Sequence, residues 1–403
     1  MPTYLRPGVY VEEIAPRDPL YLGTRVLPDD RSTEAGPRPL KRWSAEHGVA
    51  GFLGVSSTSP ERKATRYNNW NEFEREFFFD PSGGRYLWHA VHGFFANGGQ
   101  ACYVVDVNNG DPAKVRPADF LGDHEQRSGL AGMEAIEEIS VVAAPDLMGL
   151  PHLDLESVRA VQLGLITHAE VTGRVAIHDT PRGLSARQVR EWRETMGYNS
   201  AFAALYYPWI RVLDGPATPS SGLVPPSGHL AGVHARSDVD RHVANEPIQG
   251  ALWLELDLLL KEQEVLHPMG INALLAQPGR GALVWGARTL SSDPTWRYLR
   301  TRRLMNFIAR NIRAGTNWVI FEKSHDEKLW YRIREELEDL LSILWRTGAL
   351  GGDEPEDAYT VKCDRENNPP EVVDAKTIVA DCAVALHEGG AGQLDFRVTY
   401  FLG

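Results

Sequence analysis

Residues 86–105 read YLWHAVHGFFANGGQACYVV, and the fold class follows from this stretch. Its first twelve residues carry apolar side chains at helical spacing. Asn97-Gly98-Gly99 then supplies a helix stop, and 101–107 resume as a short apolar run of strand character. The same alternation continues outward on both sides. Residues 49–55 read as a buried strand and 70–79 as a helix. Downstream, 139–143 form a strand ending at Pro145-Asp146, 155–169 a helix and 174–177 a strand. Ser185 and Gln188 make a capping box for a helix through Met196, and 201–207 close the series as a strand. Strands alternating with helices predict βαβ units and a largely parallel sheet.

The flanking regions follow different patterns. Near the start, Val9 and Val11 alternate with polar neighbours, the period of a strand, and a Pro/Gly-rich stretch follows from Pro16 to Pro39. Residues 214–228 read as a long loop and residues around 247–264 as a helix. A helix over 295–313 places Leu304, Phe307, Ile308 and Ile312 on one face and the arginines on the other. Residues 319–322 read as a strand, and Ser324 with Glu327 as a second capping box. The helix they open carries a stripe of Trp330, Ile333, Leu337, Leu340, Leu341 and Leu344. Two strands, 359–363 and 378–386, precede a glycine-rich hinge containing Gly389, Gly390 and Gly392. In the last segment Leu394, Phe396, Val398 and Tyr400 alternate strictly with Asp395, Arg397 and Thr399. Such a strand needs a partner for its backbone, either in its own chain or in a neighbour.

Composition narrows the function classes. The chain has 403 residues, room for two or three domains, and 43% hydrophobic content suits a globular core. A formal net charge of −12 disfavours nucleic-acid binding in bulk. Three distant cysteines, Cys102, Cys363 and Cys382, fit buried free thiols in a reducing compartment rather than a disulfide or zinc framework. No apolar run approaches the ~20 residues of a membrane span, and residues 1–10 lack a signal-peptide core. No cofactor, metal, nucleic acid or membrane insertion is therefore expected.

Material for an enzyme is thin. His178-Asp179, Asp146 and Ser185 are the residues a hydrolase would use, but Ser185 is already assigned as a helix cap, and GxSxG and HExxH are absent. Gly279, Arg280 and Gly281 lack the spacing and lysine of a phosphate loop and read as a tight turn. Arg300, Arg302 and Arg303 form a local basic patch, read as a solvated helix face rather than a nucleic-acid site.

Several ordered motifs carry a family resemblance. Residues 7–13 (PGVYVEE), 86–105, 224–238 (VPPSGHLAGVHARSD), 278–290 (PGRGALVWGARTL) and 361–370 (VKCDRENNPP) together resemble the tail sheath proteins of contractile phages and phage-tail-like contractile injection systems. The chain departs from the family where Glu388 to Gly392 replaces a proline-containing turn. The resemblance implies an α/β middle domain of subtilisin-like layout (49–245) and an α+β C-terminal assembly domain (246–386). Around these lie an N-terminal arm (1–22), a linker (23–48), and a hinge with a C-terminal arm strand (387–403). It implies that Val9, Tyr10, Val11, Leu394, Phe396, Val398 and Tyr400 are inserted into neighbouring subunits, and that the Arg300 cluster faces the tube or a neighbour. The implied partners are further copies in a helical stack of hexameric rings, an inner tube protein, and baseplate and cap proteins. Such a particle would assemble in the bacterial cytoplasm and contract without an enzymatic step. A soluble α/β hydrolase and a non-contractile filament protein are the alternatives.

Overall fold

A computed structural model describes residues 6–15, 48–56, 63–77, 86–108, 111–213, 221–237, 243–323, 325–387 and 392–402. The chain forms two compact units, one of residues 46–303 and one of 1–45 with 304–403. The strands, in chain order, are β1 (Gly8–Glu13), β2 (Val49–Gly54), β3 (Thr65–Tyr67), β4 (Ala101–Asp106), β5 (Ile139–Ala143), β6 (Val175–Asp179), β7 (Ala203–Tyr207) and β8 (Ile210–Leu213). They continue with β9 (Ser221–Val224), β10 (Trp253–Leu254), β11 (Ile271–Gln277), β12 (Gly281–Val284), β13 (Tyr359–Lys362), β14 (Thr377–Ala385) and β15 (Gln393–Phe401).

In the larger unit, the described residues form an eight-stranded sheet of order β12-β11-β7-β6-β5-β2-β4-β3. The inner pairs are parallel, and β12 and β3 add antiparallel edges. Both faces are covered, so the strands are near-continuous apolar runs. Ala176 points into one core and Val175 and Ile177 into the other. Helix Leu155–Thr172 covers the first face, with Val158, Val161, Leu165 and Ala169 inward. Helices Leu87–Ala96 and Ser227–Arg236 cover the second. These two helices touch through glycine: a Cβ at Gly228 would lie 2.2 Å from Ala90 Cα, and one at Gly232 would lie 2.4 Å from the Phe94 carbonyl. The motif around residues 224–238 is thus a close-approach surface.

The smaller unit is an antiparallel sheet of order β1-β15-β14-β13. Helix Glu327–Arg346 packs on it, burying Leu329, Trp330, Ile333, Leu337, Leu340, Leu341 and Leu344. The expected stripe is all inward.

The structure corrects several expectations. The division between units falls after Arg303, not near residue 245, because β11 pairs with β7 and carries β12 into the large sheet. Residues 247–264 are not one helix. Backbone bonds from Leu252 to the Arg211 carbonyl (2.8 Å) and from Glu255 to the Trp209 carbonyl (2.9 Å) hold β10 extended, leaving helix Leu260–Leu266. Residues 317–321 wind into a 3-10 turn directly after helix Leu299–Thr316 rather than a strand. Ser324 lies outside the described residues, and the cap of the long helix is Asp326, whose carboxylate accepts from the Leu329 N–H at 2.9 Å. Of the predicted loop, 214–220 lie outside the described residues, while 221–224 form β9 and a helix begins at Ser227.

Candidate functional site

The sheet of the smaller unit is built from both ends of the chain. β14 and β15 form a hairpin with a continuous register from Thr377 opposite Phe401 to Ala385 opposite Gln393. β1 adds to the far side of β15, with Gly8 opposite Phe401 and Glu13 opposite Phe396, and the Ile14 N–H extends the ladder to the Asp395 carbonyl at 3.1 Å. β15 is therefore central. The period-two pattern explains its inner face: Phe396, Val398 and Tyr400 are fully buried, and Leu394 and Leu402 nearly so. Burial holds the Tyr400 hydroxyl well above its usual pKa. Val9 and Val11 stand opposite Tyr400 and Val398, but β1, as the edge strand, stays half-exposed. Tyr10 lies opposite Thr399 and donates its hydroxyl to the Arg6 carbonyl at 2.8 Å.

The outer face carries a charge lock. Arg397 donates to both oxygens of Asp381, opposite it on β14, at 2.7 and 3.2 Å. Asn367 donates to the same carboxylate at 2.6 Å. Glu12 stands opposite Arg397 on β1, so the arginine lies between an acid on each flanking strand. A fork-shaped guanidinium with a directly opposed carboxylate fixes register, because a one-residue slip would point it into the core. Asn368 mimics a further strand: its side-chain amide accepts from the Val379 N–H at 2.7 Å and donates to the Val379 carbonyl at 3.0 Å. Asp381 and Asn368 were missed as functional residues. Asn368 lies in the family-like run 361–370 and Asp381 outside it, and cross-strand partners of this kind emerge only with the register.

The alternation alone left open whether the terminal strands pair at home or away, and the family resemblance implied away. In the single chain they pair with each other and with β14. Of the hinge glycines, Gly392 adopts φ 62, which favours glycine, and Gly389 and Gly390 lie outside the described residues.

The basic patch is where the sequence misled. Arg302 and Arg303 do not lie on a solvated face; both are buried, and Arg300 is half-buried. The Arg302 guanidinium is sandwiched between the rings of Phe202 and Trp296, 4.1 and 4.0 Å from their centres. Arg303 donates to the His234 and Ser237 carbonyls at 2.8 and 2.7 Å. A planar, weakly hydrated guanidinium tolerates burial that a lysine would not. Helical periodicity treats every arginine as polar, and so misassigned these two.

The hydrolase residues do not converge. His178 and Asp179 are consecutive on β6 and point to opposite faces of the sheet. His178 lies beside the Tyr198 ring, and burial pushes its pKa down to about 3. Asp179 accepts from the Ser227 N–H at 3.0 Å, and burial raises its pKa to about 7. Asp146 accepts backbone N–H groups from Val55 (2.7 Å), Leu87 (3.2 Å) and Tyr86, tying β2 to a helix start. Ser185 caps its helix in the predicted box with Gln188. Ser185→Ala is expected to lower stability by about 1 kcal/mol and leave assembly unchanged. A urea melt and electron microscopy of the variant check the two parts.

Gly279 and Gly281 are turn residues with φ 78 and 77, joining β11 to β12, and Arg280 donates to the Asn245 carbonyl at 2.9 Å. The three cysteines are buried free thiols, and burial pushes Cys363 up to about 12. Among the described residues no His, Cys, Asp and Glu cluster suited to a metal is found, and no helix is long and apolar enough to cross a membrane.

Comparison with known proteins adds the following. The family model described as "Phage tail sheath protein central domain" matches residues 126–290, and "Phage tail sheath C-terminal domain" matches residues 291–390. The tail sheath protein of Vibrio phage KVP40 is 24% identical over 392 residues, covering 90% of this chain and 56% of that protein. A putative prophage major tail sheath protein of Pseudomonas aeruginosa is 28% identical over 236 residues, covering 56% of this chain and 59% of that protein. The chain thus spans somewhat more than half the length of these relatives. The fold is shared with the anti-feeding prophage helical sheath in its contracted state (TM-score 0.69, 24% identity, 91% of this chain and 96% of that one). It is shared also with the PVC sheath complex of an extracellular contractile injection system (TM-score 0.68, 24% identity, 91% and 95%).

Proposed function

The chain belongs to the phage tail sheath family, and from that premise we propose that it is the structural subunit of a contractile sheath. It polymerises as stacked hexameric rings around an inner tube, meets baseplate and cap proteins at the ends, and shortens to drive the tube through a target envelope. Assembly takes place in the bacterial cytoplasm. The larger unit, with its largely parallel sheet, is the domain of subtilisin-like layout and acts as a rigid body.

The observation that carries this reading is the sheet closed by both chain ends. A strand that follows a glycine-rich segment, pairs over its full length and buries Phe396, Val398 and Tyr400 is a module that can be traded between identical chains without new contacts. In the polymer, β15 (Leu394, Phe396, Val398, Tyr400) and β1 (Val9, Tyr10, Val11) are donated to neighbours. There they meet β14 of another copy in the same register, with Arg397 again on Asp381. Gly389, Gly390 and Gly392 form the hinge that redirects β15. Arg300 alone of its cluster is left to face the tube or a neighbour. Head-to-tail trading of this kind gives rings where the rotation closes and propagates as a lattice where it does not.

Negative-stain microscopy of the concentrated full-length chain is the direct test. Ribbed tubes that shorten and widen on mild urea treatment are the expected result. Tubes that never shorten favour a passive filament, and monodisperse particles at every concentration rule out the proposal.

A further inference from the structure

In the single chain, the described strands near both ends are already paired. β15 has both edges filled, by β14 from Thr377 to Ala385 and by β1 from Gly8 to Glu13. Its apolar face is buried against its own unit, and Arg397 is held by Asp381 with Glu12 opposite. The register is continuous, with no bulge. Among the described residues, a chain in this form presents neither an unpaired β1 or β15 nor a vacant place beside β14.

We propose that this home-paired sheet is a latch: an autoinhibited form in which β1 and β15 occupy each other and keep the free chain from polymerising until a growing end displaces them. The proposal rests on the strand-donation reading above. The latch has an order. β1 is an edge strand held by one ladder, so it can leave while β15 stays in place. β15 is held by two ladders, and its departure empties the place beside β14. β1 therefore opens first and β15 follows, filling a neighbour's vacancy as it creates its own. Only the open fraction can join a tube, so the apparent affinity for a growing end falls in proportion to that fraction. Growth from existing ends, where a vacancy already waits, is favoured over spontaneous nucleation. A dilute subunit made before its tube and baseplate would thus stay unassembled, whereas a concentrated one populates enough of the open form to nucleate tubes by itself.

The pair Tyr10 and Thr399 makes this testable, since they stand directly opposite each other, at a spacing of about 4.5–5.5 Å that a disulfide can bridge. The native cysteines are buried and do not compete. In the full-length chain carrying Tyr10→Cys and Thr399→Cys, oxidation at high dilution is expected to form the bond within one chain, with no gain in mass. The oxidised chain, added to pre-formed tubes of unmodified chain, is expected to elongate them at least about tenfold more slowly than its reduced form, and reductant restores the rate. Oxidation after assembly is expected to give cross-links between chains instead, seen as a ladder on a non-reducing gel. Elongation at an equal rate by the oxidised and reduced forms overturns the latch, as does a dilute chain that cross-links only between molecules. If even concentrated unmodified chain forms no tubes, the donation reading itself falls and the latch with it. If reduced double-cysteine chain alone fails, the pair Val11→Cys and Val398→Cys, also directly opposed, repeats the measurement.

Discussion

A chain ending after Leu386 is expected to form no tubes and to lose the cooperative unfolding of its smaller unit. Removing β15 takes away Leu394, Phe396, Val398, Tyr400 and Leu402, all buried. At about 1.5–3 kcal/mol for each large apolar side chain, the loss is of the same size as the whole stability of a typical domain, ~5–15 kcal/mol. β1 loses its partner in the same stroke, since it pairs with β15 and not with β14. The change is expected in a urea melt followed through Trp318, Trp330 and Trp345, while the larger unit keeps its own transition. Because a poorly folded unit would also fail to assemble, Arg397→Ala serves as the sharper variant. It leaves the apolar face intact and removes the fork on Asp381. Its assembly is expected to slow, with a modest loss of stability of ~1.5–3 kcal/mol for a hydrogen bond between charged groups. Full-length particles of normal appearance from the truncated chain would sink the assignment of β15 to assembly.

Mild acid is expected to unfold the larger unit. His168, His178 and His229 are all held at a pKa of about 3, in each case chiefly by burial. Arg174 and His124 add to the effect at His168, Arg193 at His178, and His92 and His89 at His229. In the unfolded chain each titrates near 6.5. Below that pH the unfolded state binds protons that the folded state refuses, so stability falls as pH falls, by about 1.4 kcal/mol per unit for each histidine. Asp179 works the other way. Its folded carboxyl holds a proton up to about pH 7, so acidification from pH 7 towards 4 returns stability at the same rate. These four groups alone leave a net loss of ~5 kcal/mol between pH 6.5 and 4.5, and His234, whose burial also holds its pKa well below the usual value, adds to it. Thermal melts across that range should show a steep drop in the transition of the larger unit. A flat melting temperature from pH 7 to 4.5 refutes the account, and a rise would mean Asp179 dominates.

The parallel sheet was legible because its strands are apolar runs bounded by strong stop signals, as at Asn97-Gly98-Gly99. The long helix was legible from its stripe, and β15 from its alternation. What escaped were features decided by long-range partners. The extended segment at Trp253 is held by the backbone of β8, against a local composition rich in leucine. Arg302 is buried because two rings distant in sequence close on it. The unit boundary at Arg303 depends on β11 finding β7, a pairing across more than sixty residues that no local pattern announces. At the candidate site the alternation gave the inner face of β15, whereas the lock of Arg397 on Asp381 required the register.

The glycine seam between helices Leu87–Ala96 and Ser227–Arg236 has a mechanical consequence. With backbone against backbone there, and a packed apolar layer on each side of the sheet, the larger unit has little slack to stretch or compress. The proposed sheath, tiled with such bricks, would then change length only by shifting them against one another, so the elastic part has to lie in the mortar.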